Sequence, residues 1–395
     1  MKNIAIICEY NPFHNGHKLQ IDKILEKFGS DTNIICIMSG NFVQRGDFAI
    51  FDKHTRAKSA ILGGANLILE LPLPYAISSA EFFAKGAVYV LNQLNCIDYL
   101  CFGSECGDID TLTDISNHIL DPSFFEKVQD CMQKGISYPN ALDEVLNKIN
   151  VKFSEIIKNP NNTLGIEYIK ALNLSKSTIK PITITREKTG YHSDFEISDI
   201  SSASYIRKNI ESDIFHLMPE KSANNIKLAS KFSIYNVENS ILSHLKRKDS
   251  EFFKSIRDCN EGLENKIVSS LKKVTSLDEL YTEIKSKRYT NSRIHRIILN
   301  SYLEISKKHT DTSPKYTKVL AFDDKGRQIL KKLKDCSEFA IITKPSAEYN
   351  LCFEGRELLS LDILSTDLFF MACEDKSCRK SNFEMTTSPV YIKNS

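Results

Sequence analysis

Met1-Lys-Asn-Ile-Ala-Ile-Ile-Cys-Glu-Tyr-Asn-Pro-Phe-His-Asn-Gly-His-Lys-Leu-Gln20 opens the chain and decides how the rest is read. The apolar run Ile4 to Cys8 predicts a buried parallel strand. A Pro-containing turn follows, then His14-Asn15-Gly16-His17, then an amphipathic helix to about Phe28. Strand, turn and helix start in that order make an anion-binding corner. The first helical N–H groups lack intrahelical acceptors, and the helix dipole places partial positive charge there. Two imidazoles three residues apart on one turn face the same way and can both reach a polyphosphate. Gly16 between them lets a nucleotide approach the backbone.

Outward from this corner, Asn33-Ile-Ile-Cys-Ile-Met38 is a second apolar run, completing a βαβ unit with a right-handed crossover. Ser39-Gly-Asn-Phe-Val-Gln-Arg-Gly-Asp47 reads as a glycine-rich polar loop, and Phe51-Asp-Lys-His-Thr-Arg-Ala-Lys58 starts a helix. Lys53 and Arg56 oppose the dipole there, so they are either solvated surface or phosphate contacts at the mouth of the sheet. Asn66 to Pro72 predicts a third strand, Ser79 to Leu94 a helix on the sheet, and Cys96 to Phe102 a fourth strand running into Gly103-Ser104-Glu105. Ligands of open α/β sheets lie beyond the carboxyl ends of the strands, so the turns after strands one, two and four share one rim. Gly103 is then a plain turn glycine or the place where a base or ribose lies against the backbone.

Ile109 to Lys158 is helical in pattern and more polar. Asn159-Pro-Asn-Asn-Thr-Leu-Gly165 breaks that pattern ahead of a helix from Ile166 to Asn173, and Asn161 or Asn162 either caps it or hydrogen-bonds a base. Lys180 to Arg186 alternates as a fifth strand, Gly190-Tyr-His192 is a loop, and Ser201-Ser-Ala-Ser-Tyr-Ile-Arg207 opens a helix. Its hydroxyls and guanidinium make either a second anion corner or a Ser N-cap beside a surface Arg. Composition shifts after about Asn209: residues 216 to 310 carry helical periodicity with many Lys and Arg. The densest patch, Lys285-Ser-Lys-Arg-Tyr-Thr-Asn-Ser-Arg-Ile-His-Arg296, suits a nucleic-acid backbone or a solvated helix face. Short apolar runs return at Lys318 to Phe322 and Glu338 to Thr343, as mixed α/β or satellite packing.

At 395 residues the chain exceeds one ordinary core and suggests two domains. A net charge of +2 confines any nucleic-acid surface to a local patch. Eleven scattered cysteines, no secretory signal pattern and no apolar stretch of membrane-spanning length predict a reduced cytosolic protein with free thiols. Cys101/Cys106 and Cys373/Cys378 have a spacing that zinc sites allow, but neither pair has a second pair of ligands close by.

His14-Asn-Gly-His17 resembles the His-x-Gly-His signature of the nucleotidylyltransferase superfamily, and Ser201 to Arg207 is similar to its Ile-Ser-Ser-Thr-x-Ile-Arg motif. The second motif is degenerate, with Ser201 at the isoleucine, Ala203 at the second serine and Ser204 at the threonine. Glu9 to His17, Ser39 to Gly46, Leu69-Glu-Leu-Pro72, Phe102-Gly-Ser-Glu105, Pro160 to Gly165 and Ser286-Lys-Arg-Tyr-Thr290 together resemble the bacterial tRNA(Met) cytidine acetate ligase family. Lys18 departs from the apolar residue expected after the second histidine.

The resemblance implies an α/β, Rossmann-like nucleotidylyltransferase domain with a parallel sheet over residues 1–210. It also implies a mainly α-helical, basic, tRNA-binding domain over 211–395 with a small mixed α/β C-terminal portion. ATP, with Mg2+, and acetate would give acetyl-adenylate and pyrophosphate, and the acetyl group would pass to N4 of the wobble cytidine of elongator tRNA(Met). The expected location is the cytoplasm, with no membrane and no protein partner. Carried over by position, the ATP site is Ile7, Cys8, Glu9, Tyr10, Asn11, Pro12, Phe13, His14, Asn15, Gly16, His17, Lys18, Leu19 and Gln20, with Gly103, Asn161 or Asn162, and Arg186. His14 and His17 are the catalytic candidates; Lys53, Arg56 and Arg207 are further phosphate candidates, and Tyr289 a stacking candidate for RNA. The rival readings are an adenylyltransferase for a phosphorylated small molecule and a non-catalytic tRNA-binding protein.

Overall fold

The structure, a computed structural model, describes residues 1–186, 201–212, 214–286, 288–344 and 351–393. The predicted loop Gly190-Tyr-His192 and Lys287 of the basic patch lie outside them. The strands are β1 (Asn3–Cys8), β2 (Asn33–Ser39), β3 (Phe42–Val43), β4 (Asp47–Phe48), β5 (Leu67–Leu71), β6 (Tyr99–Ser104), β7 (Lys180–Thr185), β8 (Tyr316–Phe322), β9 (Ala340–Ile342) and β10 (Val390–Tyr391). The main sheet runs β10-β8-β5-β2-β1-β6-β7, with β9 also on β8, and β3-β4 is a separate hairpin. Within the main sheet every pair is parallel except β5 with β8.

The central strands read as unbroken apolar runs because helices cover both faces. Ile4, Ile6, Ile34, Cys36 and Ile68 point to one side, against Ile21 and Ile24 of the helix Asn15–Phe28 and Ala57 and Ala60 of the helix Lys53–Leu62. Ala5, Ile7, Ile35, Ile37, Leu67 and Leu69 point to the other, against the helices Ala80–Gln93 and Pro160–Leu174. From β1 the chain order runs outward both ways, so a crevice opens at the carboxyl ends of β1 and β6, where such sheets bind ligands.

Several boundaries differ from expectation. The fourth strand starts at Tyr99, because the Asp98 carboxylate is taken up by the Asn3 N–H at 2.8 Å. It runs on to Ser104 along β7, so Gly103 lies inside β6 and not in a turn. The helix expected from Ile166 begins at Pro160, whose missing N–H costs nothing at the first helical position, and Asn159 holds the N-cap without a side-chain capping bond. The loop after β2 contains the hairpin. Lys318 to Phe322 enters the main sheet as β8, so position 210 does not separate sheet from helices.

Helices between Glu238 and Tyr302 form a second core with Phe369, and the hairpin belongs to it through Phe42 and Phe48. Phe369 is fully buried; its ring centroid lies 4.2 Å from that of Phe232, 5.6 Å from Phe48 and 5.7 Å from Phe42. Phe369→Ala is expected to destabilise the chain by about 3–5 kcal/mol, measurable by urea denaturation. A loss near that of a surface substitution would mean that the hairpin is held otherwise. No helix among the described residues is long and apolar enough to cross a membrane.

Candidate functional site

The corner after β1 is built by its two histidines on each other. His14 is the N-cap of the helix Asn15–Phe28, and its Nδ1 accepts the Gly16 N–H at 3.1 Å. The His17 Nδ1 accepts the His14 N–H at 3.3 Å, so each imidazole satisfies a donor left over at the helix start. The rings stack at 3.8 Å, and Tyr10 and Phe13, both buried, pack against His17 with centroids at 4.8 and 5.6 Å. With both Nδ1 atoms accepting, the proton of each neutral ring sits on Nε2. Burial, with Arg186 and Arg207 nearby, pushes His14 down to about 3, and burial with His14 and Arg186 holds His17 well below its usual value. The corner therefore offers two uncharged Nε2–H donors at the positive end of a helix.

Neutrality has a pH consequence. The unfolded chain takes up the His14 proton near 6.5 and the folded chain only near 3, so the unfolded state binds more protons in between. Stability falls as pH drops through that window. Imidazole NMR signals of His14 and His17 are expected to stay at neutral positions from about pH 8 to pH 5, below the usual histidine midpoint. A normal inflection near 6.5 would refute the neutral-donor description.

Arg186 follows β7, anchored by its N–H to the Ser104 carbonyl at 2.8 Å. Its side chain lies over Gly103, where a Cβ would stand 3.0 Å from Arg186 Cγ. Arg207 donates through Nη1 to the Asn11 carbonyl at 2.7 Å and through Nη2 to Ser204 Oγ at 3.1 Å. Asn162 is buried; its Oδ1 accepts from the Glu105 and Cys106 N–H groups at 2.9 and 3.1 Å, and its Nδ2 donates to the Ile156 carbonyl. Asn161 donates to Glu105 Oε1 at 2.6 Å. Neither asparagine caps the helix; together they hold the turn after β6.

Three expectations are corrected. Lys53 and Arg56 are buried, not at the mouth of the sheet. Lys53 Nζ lies 2.8 Å from Glu70 and 2.6 Å from Glu384, because an unpaired buried ammonium would be too costly. Arg56 donates to the carbonyls of Phe51, Glu9, Ser39 and Gly40, tying the ends of β1 and β2 together. Tyr289 is 6% exposed inside the helical core, with Arg293 over its ring, so it presents no free face. Two cations of the basic patch are spent locally: Lys285 donates to the Tyr289 carbonyl, and Arg293 to the Asp258 carbonyl and Asn260 Oδ1. All eleven cysteines are free thiols, and among the described residues no group of three or more His, Cys, Asp or Glu could hold a metal ion.

Sequence reasoning missed Glu9 and Asn11 as anchors. Glu9 Oε1 accepts the Gln44 N–H at 2.8 Å, and Asn11 Oδ1 accepts the Ile50 N–H at 2.9 Å. Nothing in their spacing signals such partners, which come from the loop after the next strand.

Residues 1–384 match the sequence model of the family described as HIGH Nucleotidyl Transferase. A Clostridium perfringens protein named tRNA(Met) cytidine acetate ligase is 41% identical over 414 aligned residues, covering 100% of both chains. One of the same name from Acetivibrio thermocellus is 36% identical, covering 99% of this chain and 100% of its own. The crystal structure of Thermotoga maritima TmcAL bound with alpha-thio ATP aligns with a TM-score of 0.93 at 28% identity, over 100% of both chains.

Proposed function

The chain belongs to the tRNA(Met) cytidine acetate ligase family of HIGH nucleotidyl transferases, and we propose that it uses ATP to acetylate a tRNA cytidine. ATP and acetate give acetyl-adenylate and pyrophosphate; N4 of the wobble cytidine of elongator tRNA(Met) then takes the acetyl group and AMP leaves. The observation that carries this reading is the pair of neutral Nε2–H donors at a helix start, beside Arg186 and Arg207. A carboxylate is a weak nucleophile, so the site must hold it in line with the α-phosphorus and meet the charge that develops on the phosphate oxygens. Neutral histidines do so without the repulsion that two adjacent imidazolium ions would suffer beside two guanidiniums. Gly103, lacking a Cβ, makes room for the Arg186 side chain at the end of β6, beside the adenosine.

Mg2+ usually accompanies such nucleotides, through one or two carboxylates and the phosphates. The described residues supply no dedicated cluster for it, and no step is assigned to it. A tRNA substrate places the protein in the cytoplasm.

Incubation with labelled acetate, ATP and bulk tRNA tests the reading. Label is expected in tRNA only when ATP is present, with acetate-dependent ATP–pyrophosphate exchange in the absence of tRNA. Adenylylation of a phosphorylated metabolite in place of both, or tRNA binding with neither, would overturn it.

A further inference from the structure

Asp47 lies between the histidine corner and the helical segment. The hairpin carrying it is tied to the loop after β1 on both limbs, by Gln44 N–H to Glu9 and Ile50 N–H to Asn11. Its Gly46 lies against the backbone of His295 and Arg296, where a Cβ would come within 2.4 Å of the Arg296 nitrogen. The hairpin thus spans from the corner to the helix Asn291–Tyr302.

Asp47 is exposed, and its Oδ1 accepts the N–H of its own neighbour Phe48 at 2.8 Å. Among the described residues it makes no ion pair. Its charge acts on Arg207 on one side and on His295, Tyr281 and Tyr235 on the other. Tyr281 and His295 stack at 4.0 Å with a 19° tilt, and Tyr235, 55% exposed, is pinned by its hydroxyl donating to Asp278 at 3.0 Å. An acceptor carboxylate beside fixed aromatic faces is the environment in which proteins read unstacked bases.

We propose that Asp47 receives the target cytosine: its carboxylate accepts a hydrogen bond from the N4 amine and takes the proton that the amine loses on acetylation. The base lies against the aromatic faces of Tyr235, Tyr281 and His295. This inference rests on the ligase reading. The N4 lone pair forms the bond to the acetyl carbonyl carbon, and the bond from that carbon to the AMP oxygen breaks. AMP leaves with the electron pair, and the N4 proton passes to Asp47 and then to water. Uracil presents O4 where cytosine presents its amine, and a carboxylate repels it. The plainer alternative is an aspartate that only closes its hairpin.

Asp47→Asn keeps an acceptor for Phe48 N–H. Single-turnover transfer from acetyl-adenylate to tRNA is expected to fall by about 10²–10⁴-fold, the usual worth of a positioned base. The parent protein should prefer an anticodon stem-loop with a wobble cytidine over one with uridine by about tenfold or more, and the variant should lose that preference. Transfer near the parent rate with the preference intact overturns the proposal. Tyr235→Ala, on the surface, is expected to weaken stem-loop binding by about 5- to 100-fold, and unchanged binding also counts against it. Failure of the ligase reading is seen separately, as a parent protein that gives neither exchange nor labelled tRNA.

Discussion

His17→Asn is expected to slow acetate-dependent ATP–pyrophosphate exchange by about 10²–10³-fold, the cost of removing one preorganised donor. Asparagine carries an oxygen near the position of Nδ1, so the His14 N–H keeps an acceptor and the helix start survives. It does not reach Nε2. His17→Gln reverses the exchange of groups: its amide N–H reaches toward the phosphates, and the cap is lost at about 1 kcal/mol. Exchange rates should therefore rank parent, Gln, Asn, while denaturation midpoints should place Gln lowest. An Asn variant that exchanges as fast as the Gln variant would remove the donor role.

Arg56→Lys is expected to cost about 3–5 kcal/mol of stability despite keeping the charge. The guanidinium is fully buried and serves four carbonyls, at 3.0 Å for Phe51 and 3.3 Å for Ser39, with Glu9 and Gly40 also bonded. One ammonium with three hydrogens cannot replace a planar fork of five, and each carbonyl left dry costs about 1–3 kcal/mol. Urea denaturation measures the loss. A change within about 0.5 kcal/mol, the scale of a surface substitution, would show that water or a neighbour replaces the clamp.

The parallel sheet was legible because its central strands are buried on both faces, so Ile4 to Cys8 and Asn33 to Met38 stand out as apolar runs. The histidine corner was legible because its bonds join residues two and three apart. The functions of Lys53 and Arg56 were not. A cation on a helix's first turn looks exposed until Glu384, 331 positions from Lys53, comes beside it. Tyr289 looked accessible among charged neighbours, whereas the core takes its ring and its neighbours bond to nearby backbone. The hairpin was hidden because strands of two residues leave no alternating pattern, and Asp47 with it.

The late arrival of β8 bears on synthesis at the ribosome. Lys318 on β8 meets Glu70 at 3.1 Å, Asp362 at 2.7 Å and Glu384 at 2.7 Å, all buried, and Glu384 also neutralises Lys53. A nascent chain that has exposed β1 to β7 still lacks the neighbour of β5 and leaves that strand as an open edge carrying a buried-type carboxylate. At about 5–20 residues per second, ten seconds or more separate translation of β7 from that of Glu384. Ribosomes stalled in that interval would carry an ATP corner without its final support, a natural client for chaperones that shield strand edges.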